Sequence, residues 1–176
     1  MPRGRKKKED KEEKSYSVCE EAEVLIKDLT EHYPDILWSV TPGQVSVFGV
    51  DNAERPASCQ VLAKIRVING VHKALLEKYN VGVKYLIEMY WSDWNEWKTS
   101  IKLAIISKHL FEITPDVEKK NAPDCKGFKI LYDVLGINWE KSDGNGIPNL
   151  LTDEVSFNLE YLPGMDGLNE EEDDDI

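Results

Sequence analysis

The residues best placed for chemistry lie in one short segment, 108–112, with the sequence Lys-His-Leu-Phe-Glu. It falls near the end of a stretch, 94–113, that has no glycine or proline and shows the apolar spacing of a helix. Positions i and i+4 share one face of a helix, so two histidines there can bind one zinc ion while a glutamate beside the first activates a water. Here Lys108 and Glu112 hold those positions, and His109 stands at the place of the glutamate. Because a protonated ammonium cannot bind a metal, the segment predicts no catalytic residue and no cofactor.

Two other interpretations of these residues stay open from the sequence. Lys108 and Glu112 can form an ion pair along the helix, worth roughly 0.2–0.5 kcal/mol, and the segment is then purely structural. Alternatively, His109 and Glu112, at i and i+3, can share a metal with Asp116 or Asp124. That arrangement would be a remodelled metal site.

Hydrophobic periodicity predicts the elements that position this segment. The predicted strands are 44–50, 60–68 and 83–90, and the predicted helices are 17–33, 71–79, 94–113 and 126–135. Ser92 or Asp93 is predicted to cap the long helix, with Glu96 completing a capping box with Asp93. Apolar residues cover much of the circumference of that helix, which indicates burial on two sides. This order predicts an α+β fold, in which a small mixed sheet packs on one side against a long buried helix and two or three further helices.

The charges divide the chain into a body and two tails. Residues 1–14 carry seven Lys or Arg and four Asp or Glu, and residues 166–176 carry seven Asp or Glu. We predict a basic disordered tail over 1–14, a single domain over 15–165 and an acidic disordered tail over 166–176. The net charge of −11 argues against direct nucleic-acid binding, since duplex affinity comes mainly from neutralising phosphates.

Hydropathy and cysteine usage predict a cytoplasmic protein without a membrane partner. No apolar run approaches the ~20 residues needed to span a bilayer, and the basic N-terminus lacks the apolar stretch that follows it in a signal peptide. Cys19, Cys59 and Cys125 lie far apart without a C-x-x-C spacing, which favours reduced thiols.

An aromatic cluster stands at the predicted junction between the last strand and the long helix. Its members are Tyr90, Trp91, Trp94 and Trp97. Tryptophan and tyrosine dominate the hot spots of protein interfaces, so the cluster is a candidate partner-binding patch, with Trp91 expected to be the most exposed. Packing in the core is the alternative.

The acidic tail is a second candidate partner-binding feature. Its run consists of Glu170, Glu171, Glu172, Asp173, Asp174 and Asp175. Such a run can imitate the charge of a nucleic acid and occupy a basic groove on another protein. A solvated polyacid without a partner is the alternative.

From residue 85 to residue 151 the chain resembles the phage metallopeptidases, a SprT-like branch of the zincins. The matching features are a strand at 84–88, Trp94 at the helix start, the motif positions fourteen residues later, a helix with Phe128 that ends at Gly136, then Asn138-Trp139 and the segment 147–151. The resemblance implies a zincin-like fold. It also implies that Lys108, His109 and Glu112 are degenerate positions of His-Glu-x-x-His. The family's third ligand would fall between 116 and 127, where Asp116, Asp124 and Cys125 are the residues that could serve and no histidine occurs.

The resemblance and the charge together predict a non-catalytic, phage-type protein that acts by binding a host protein in the bacterial cytoplasm. A partner with a basic groove fits the acidic charge, and inhibition of a host defence or nucleic-acid enzyme is the expected effect. Two alternatives stay open. One is a metal-dependent peptidase with a remodelled site around His109 and Glu112, and the other is a virion or assembly component.

Overall fold

The computed structural model describes residues 14–51, 61–115, 120 and 128–163. Within these ranges it contains strands β1 (Ser15–Val18), β2 (Val45–Asp51), β3 (Ala63–Val67) and β4 (Tyr85–Tyr90), and helices α1 (Glu20–His32), α2 (Gly70–Lys78), α3 (Trp91–Glu96), α4 (Thr99–Phe111) and α5 (Lys129–Leu135). Single 3-10 turns occur at Pro42–Gln44, Trp139–Lys141 and Leu159–Tyr161. The three predicted strands and the helix predicted at 71–79 are confirmed to within three residues at each described end. The predicted tails, apart from residue 14, lie outside the described residues.

The four strands form one mixed sheet in the order β1-β2-β4-β3. The central pair, β2 and β4, is parallel, with Val47 beside Ile87. The outer strands are antiparallel to their neighbours, and Ile65 of β3 lies opposite Ile87. This arrangement confirms the prediction of an α+β fold with a small mixed sheet.

The inner face of the sheet is apolar because alternate residues of each strand point toward it. Val47, Ile87 and Ile65 are each at most 5 % exposed and belong to the same core as α1 and α4. Helix α1 contributes the spaced apolar residues Ala22, Ile26 and Leu29, all buried. The buried inner face therefore places α1 and α4 on one side of the sheet.

Helix α4 is buried around most of its circumference, as predicted. It contacts α1, α5 and β3, so its side chains meet protein in several directions. Its buried residues are Ile101, Leu103, Ala104, Ile105, Ile106, Ser107, His109, Leu110 and Phe111. The segment 108–112 thus lies at the end of a core helix and includes its last turn.

The prediction that the first helix begins at residue 17 is wrong by three residues. Ser15–Val18 forms the edge strand β1, which pairs antiparallel with β2 so that Ser17 lies beside Gly49. The helix begins at Glu20, immediately after the Cys19 N–H donates to the carbonyl of Val47. The partner strand is about 30 residues away in the chain. Local periodicity carries no information about such a partner.

The prediction of one continuous helix over 94–113 is also wrong. The chain forms α3, then an extended step at Trp97 and Lys98, and then α4. At the step Trp97 packs edge-on against Trp94, three residues earlier, and the Lys98 ammonium makes a tertiary contact by donating to Asn145. The capping box is absent, because the N-cap of α3 is Tyr90 and Asp93 lies inside the first turn.

Candidate functional site

Lys108, the first of the predicted motif positions, forms an ion pair with Glu140 in the 3-10 turn Trp139–Lys141. Both side chains are about two-thirds to three-quarters buried, with 25 % and 32 % exposed. Among the described residues Lys108 therefore pairs with Glu140 and not with Glu112, contrary to the intrahelical pair considered from the sequence. The contact joins α4 to the C-terminal part of the fold.

His109 and Glu112 form a second cluster at the end of α4. His109 is 4 % exposed, and its Nδ1 lies 2.9 Å from Oε1 of Glu112. The other carboxylate oxygen of Glu112 accepts from Lys120 Nζ at 3.2 Å, and the same ammonium donates to the carbonyl of Ile65 at 3.1 Å. The cluster therefore connects the end of α4 to strand β3, at the edge of the sheet.

Burial raises the pKa of the Glu112 carboxyl, but the hydrogen bonds and charges of His109 and Lys120 lower it by more. The net result is a pKa below the ordinary value of 4.5. A lowered carboxyl pKa means that the folded protein stabilises the charged form. Glu112 is thus a structural anion, held by two neighbours.

The residues at the motif positions do not fit a zinc ion. A tetrahedral zinc site needs three or four nitrogen, sulfur or oxygen ligands that converge on one point. Across the described ranges, no group of three or more His, Cys, Asp or Glu side chains has that arrangement. Lys108 is engaged by Glu140, and the third-ligand candidates Asp116, Asp124 and Cys125 lie outside the described residues.

Trp94 of the aromatic cluster is a core residue. It is 1 % exposed, and its Nε1 donates to Glu21 on α1 at 2.7 Å. The Lys102 ammonium lies 4.7 Å from the centre of its ring and also bonds Glu21. Trp94 therefore packs in the core, which is the alternative considered from the sequence, and its role in partner binding stays a prediction.

Trp91 has one flank against the sheet, since its indole lies over Gly49 of β2. A Cβ at Gly49 would be 2.3 Å from the indole carbon Cε2, so glycine is required there for the close approach. The indole N–H donates to the Ser17 hydroxyl at 2.9 Å. Trp91, Tyr90 and Trp97 are all partly buried, and their role in partner binding stays a prediction.

Sequence reasoning missed a cleft on the face of the sheet opposite to α1 and α4. We call it the outer-face cleft. It has a volume of about 560 Å³ and lies between the outward side chains of β2, β3 and β4 and the helix α2. Its apolar lining includes Phe48, Leu75, Leu76, Val81, Val83 and Leu86. Its polar lining includes Ser46, Arg66, Asn69 and His72.

The sequence carries a signal for this cleft. Phe48 and Leu86 occupy outward strand positions that in a solvated sheet face hold polar residues. Helix α2 has apolar residues but buries none of them. The cleft also corrects the expectation that all helices lie on one side of the sheet, because α2 borders the opposite face.

The acidic run from Glu170 to Asp175 lies outside the described residues. Within the described ranges, no helix combines the length and the hydropathy needed to cross a bilayer. The chain has no significant match to a family model, to a curated protein or to a solved structure. The resemblance to SprT-like zincins therefore stays a prediction.

Proposed function

We propose that this chain is a non-catalytic, phage-type protein that acts by binding another protein, on a fold related to the SprT-like zincins. One observation supports the proposal above the others. Lys108 pairs with Glu140 and Glu112 pairs with Lys120, contacts that hold α4 to neighbouring parts of the fold, and the buried His109 is bonded to Glu112 at the same helix end. Side chains that maintain the structure in this way are not available to bind a metal or activate water.

The energetics of the motif positions support the same conclusion. Removing one partner from a buried hydrogen-bonded pair leaves the other unsatisfied, at a cost of about 1–3 kcal/mol. His109 is nearly fully buried and Glu112 is 18 % exposed, so both fall under this rule. A substrate that drew either side chain away would have to overcome that cost before any chemistry.

The proposed partner is a host protein in the bacterial cytoplasm, such as a defence or nucleic-acid enzyme with a basic groove. The support is electrostatic. The chain has a net charge of −11, with seven acidic residues in 166–176. Charge of one sign accelerates association with a partner of the other and makes the rate depend on salt.

Affinity capture with the full-length chain tests this proposal. The bait is incubated with bacterial lysate at low salt, beside a matched variant in which Glu170, Glu171 and Glu172 become Gln and Asp173, Asp174 and Asp175 become Asn. We expect one host protein at a stoichiometric level with the unmodified bait and a reduced amount with the variant. Capture of no protein at that level contradicts the proposal.

A metal-dependent peptidase with a remodelled site is the second candidate. The observation in its favour is that His109 Nδ1 and Glu112 Oε1 are 2.9 Å apart, so these two residues are neighbours. Metal analysis of protein purified without a polyhistidine tag decides between the candidates. Stoichiometric zinc, manganese or iron that is lost in Glu112→Gln would favour the enzyme, and a clearly substoichiometric content would exclude it.

A further inference from the structure

The outer-face cleft has an apolar floor and an apolar wall. Phe48 of β2 and Leu86 of β4 form the floor, and Leu75 and Leu76 of α2 form the wall. Clefts of about 300–1,000 Å³ with a mostly apolar lining are typical of binding sites in proteins. At about 560 Å³ the cleft falls within that range.

Helix α2 exposes large apolar side chains that no other described part of the fold covers. No residue of α2 is buried. Val71 and Leu75 within the helix are 83 % and 51 % exposed, and Tyr79, which follows its last residue, is 66 % exposed. Val81, after the helix, is 40 % exposed. A contiguous exposed apolar patch on a protein surface commonly marks an interaction site.

Two of the elements that border the cleft, β3 and α2, carry a charge opposite to that of the whole chain. The segment 61–84, which contains β3 and α2, carries five Lys or Arg and one Asp or Glu. Arg66 lines the cleft and pairs with Glu88 at 3.1 Å, while Lys64 on β3 and Lys73 and Lys78 on α2 are exposed. The basic residues therefore stand on the two elements that border the apolar lining.

We propose that the outer-face cleft binds an acidic segment of a partner protein that inserts large apolar side chains. The inference rests on the proposed function and assigns to the same partner an acidic segment in addition to its basic groove. An apolar lining with basic residues on its borders complements a segment that alternates apolar anchors and carboxylates. The apolar lining is mainly aliphatic, whereas single-stranded nucleic acids are bound on stacking aromatic side chains.

A labelled peptide is the probe for this cleft. It has about 12 residues, with leucines at i, i+3, i+4 and i+7 and glutamates elsewhere, and is titrated with the full-length chain by fluorescence anisotropy. Two further peptides have glutamine or lysine in place of every glutamate. We expect saturable binding of the glutamate peptide at the cleft and weaker binding of the glutamine peptide, whereas the lysine peptide should bind only to the acidic parts of the chain outside the cleft.

Paired substitutions locate the site. Leu75→Asp places a carboxylate in the cleft, and Leu159→Asp makes the same change at a leucine outside it that is similarly exposed, at 58 % against 51 %. We expect Leu75→Asp to weaken binding of the glutamate peptide ~10-fold or more and Leu159→Asp to leave it within ~2-fold. If Leu75→Asp does not fold, the double variant of Lys73→Glu and Lys78→Glu tests the charge at exposed positions, and we again expect weaker binding.

Several results would overturn the inference. They are no binding of the glutamate peptide, equal weakening of glutamate-peptide and lysine-peptide binding by Leu75→Ala, and tighter binding of single-stranded DNA with the same loss in Leu75→Asp. A dimer that dissociates in Leu75→Asp would show that a second copy occupies the cleft. Tighter peptide binding after the acidic run 170–175 is neutralised would assign the cleft to the chain's own terminus. If the glutamate peptide does not bind while lysate capture recovers a stoichiometric partner, the cleft is not the binding site, and the proposed function is still supported.

Discussion

On the inner face of the sheet, Val47 and Ile87 lie side by side under α1 and α4, whereas on the outer face Phe48 and Leu86 line a cleft open to solvent. The four residues come from the same two strands and alternate along them. The inner face is filled by helices that sequence periodicity predicts. In the part of the chain that the structure describes, the outer face has one short helix, α2, that buries none of its own residues.

This difference between the two faces suggests that residues of the inner face determine stability and residues of the outer face determine binding. Substitutions on the inner face change a packed core, so their cost appears in the free energy of unfolding. Side chains in the cleft make few contacts within the folded chain. We therefore expect substitutions there to lower the affinity for a partner and to change the free energy of unfolding little. His109 belongs with the inner face, because α4 carries it into the core.

The largest expected effect is on the inner side, at Leu103 of α4. Leu103 is 0 % exposed, so Leu103→Ala leaves a cavity and should lower the free energy of unfolding by about 2–5 kcal/mol. Urea denaturation followed by circular dichroism measures the change. A loss below about 1 kcal/mol would mean that α4 is not packed as described.

Gly49 is the next position. In Gly49→Ala the new Cβ would lie 2.3 Å from Trp91 Cε2, so the indole must move away from Ser17. We expect a loss of about 1–3 kcal/mol in the free energy of unfolding and a change in tryptophan fluorescence. Gly43→Ala is the control, since a Cβ there meets nothing within 4 Å and should leave both signals unchanged.

Glu112 is expected to make the stability of the protein depend on pH. Its pKa is lowered in the folded state, so the charged carboxylate contributes stability above its ordinary value of 4.5 and that contribution is lost as the pH falls below it. Glu112→Gln should cost about 1–3 kcal/mol at pH 7, and the difference from the unmodified chain should shrink below pH 4.5. Thermal unfolding across pH measures both.

The matched control for Glu112→Gln is Glu31→Gln. Glu31 forms a surface ion pair with Lys27, with both side chains about two-thirds exposed. Exposed pairs contribute about 0–1 kcal/mol, so the change should be small at every pH. A control that loses as much stability as Glu112→Gln would contradict the role of the buried cluster.

The smallest effect on stability is expected in the cleft. Leu75→Ala removes a side chain that is 51 % exposed, and the free energy of unfolding should change by no more than about 0.5 kcal/mol. The same variant should bind the glutamate peptide less tightly. A stability loss comparable to that of Leu103→Ala would show that the cleft belongs to the core, and the comparison of the two faces would fail.

Local patterns were sufficient for the parts of the fold whose structure depends on neighbours in the chain. The alternation in β2 and β4 and the apolar circumference of α4 are readable in any short window. Strand β1 and the extended step at Trp97 are not readable in a short window, because each depends on residues that are distant in the sequence. Ser17 needs Gly49 as its strand neighbour, and Lys98 needs Asn145.

The candidate site divides in the same way. The sequence identifies Lys108, His109 and Glu112 as one helical group, and the structure places all three at the end of α4. The sequence does not predict their partners Glu140 and Lys120, because these residues come close to them only in the tertiary fold. The outer-face cleft was missed because residues from 46 to 86 must come together before it exists.

The parallel pairing of β2 and β4 has a consequence for biosynthesis. Val45 pairs with Tyr85, about 40 residues later in the chain, and translation at about 5–20 residues per second needs roughly 2–8 seconds to cover that distance. During that interval the segment Val-Ser-Val-Phe-Gly-Val of β2 has been made while its central partner has not. We expect the nascent chain to be most open to chaperones, and to misassembly with other chains, at this strand.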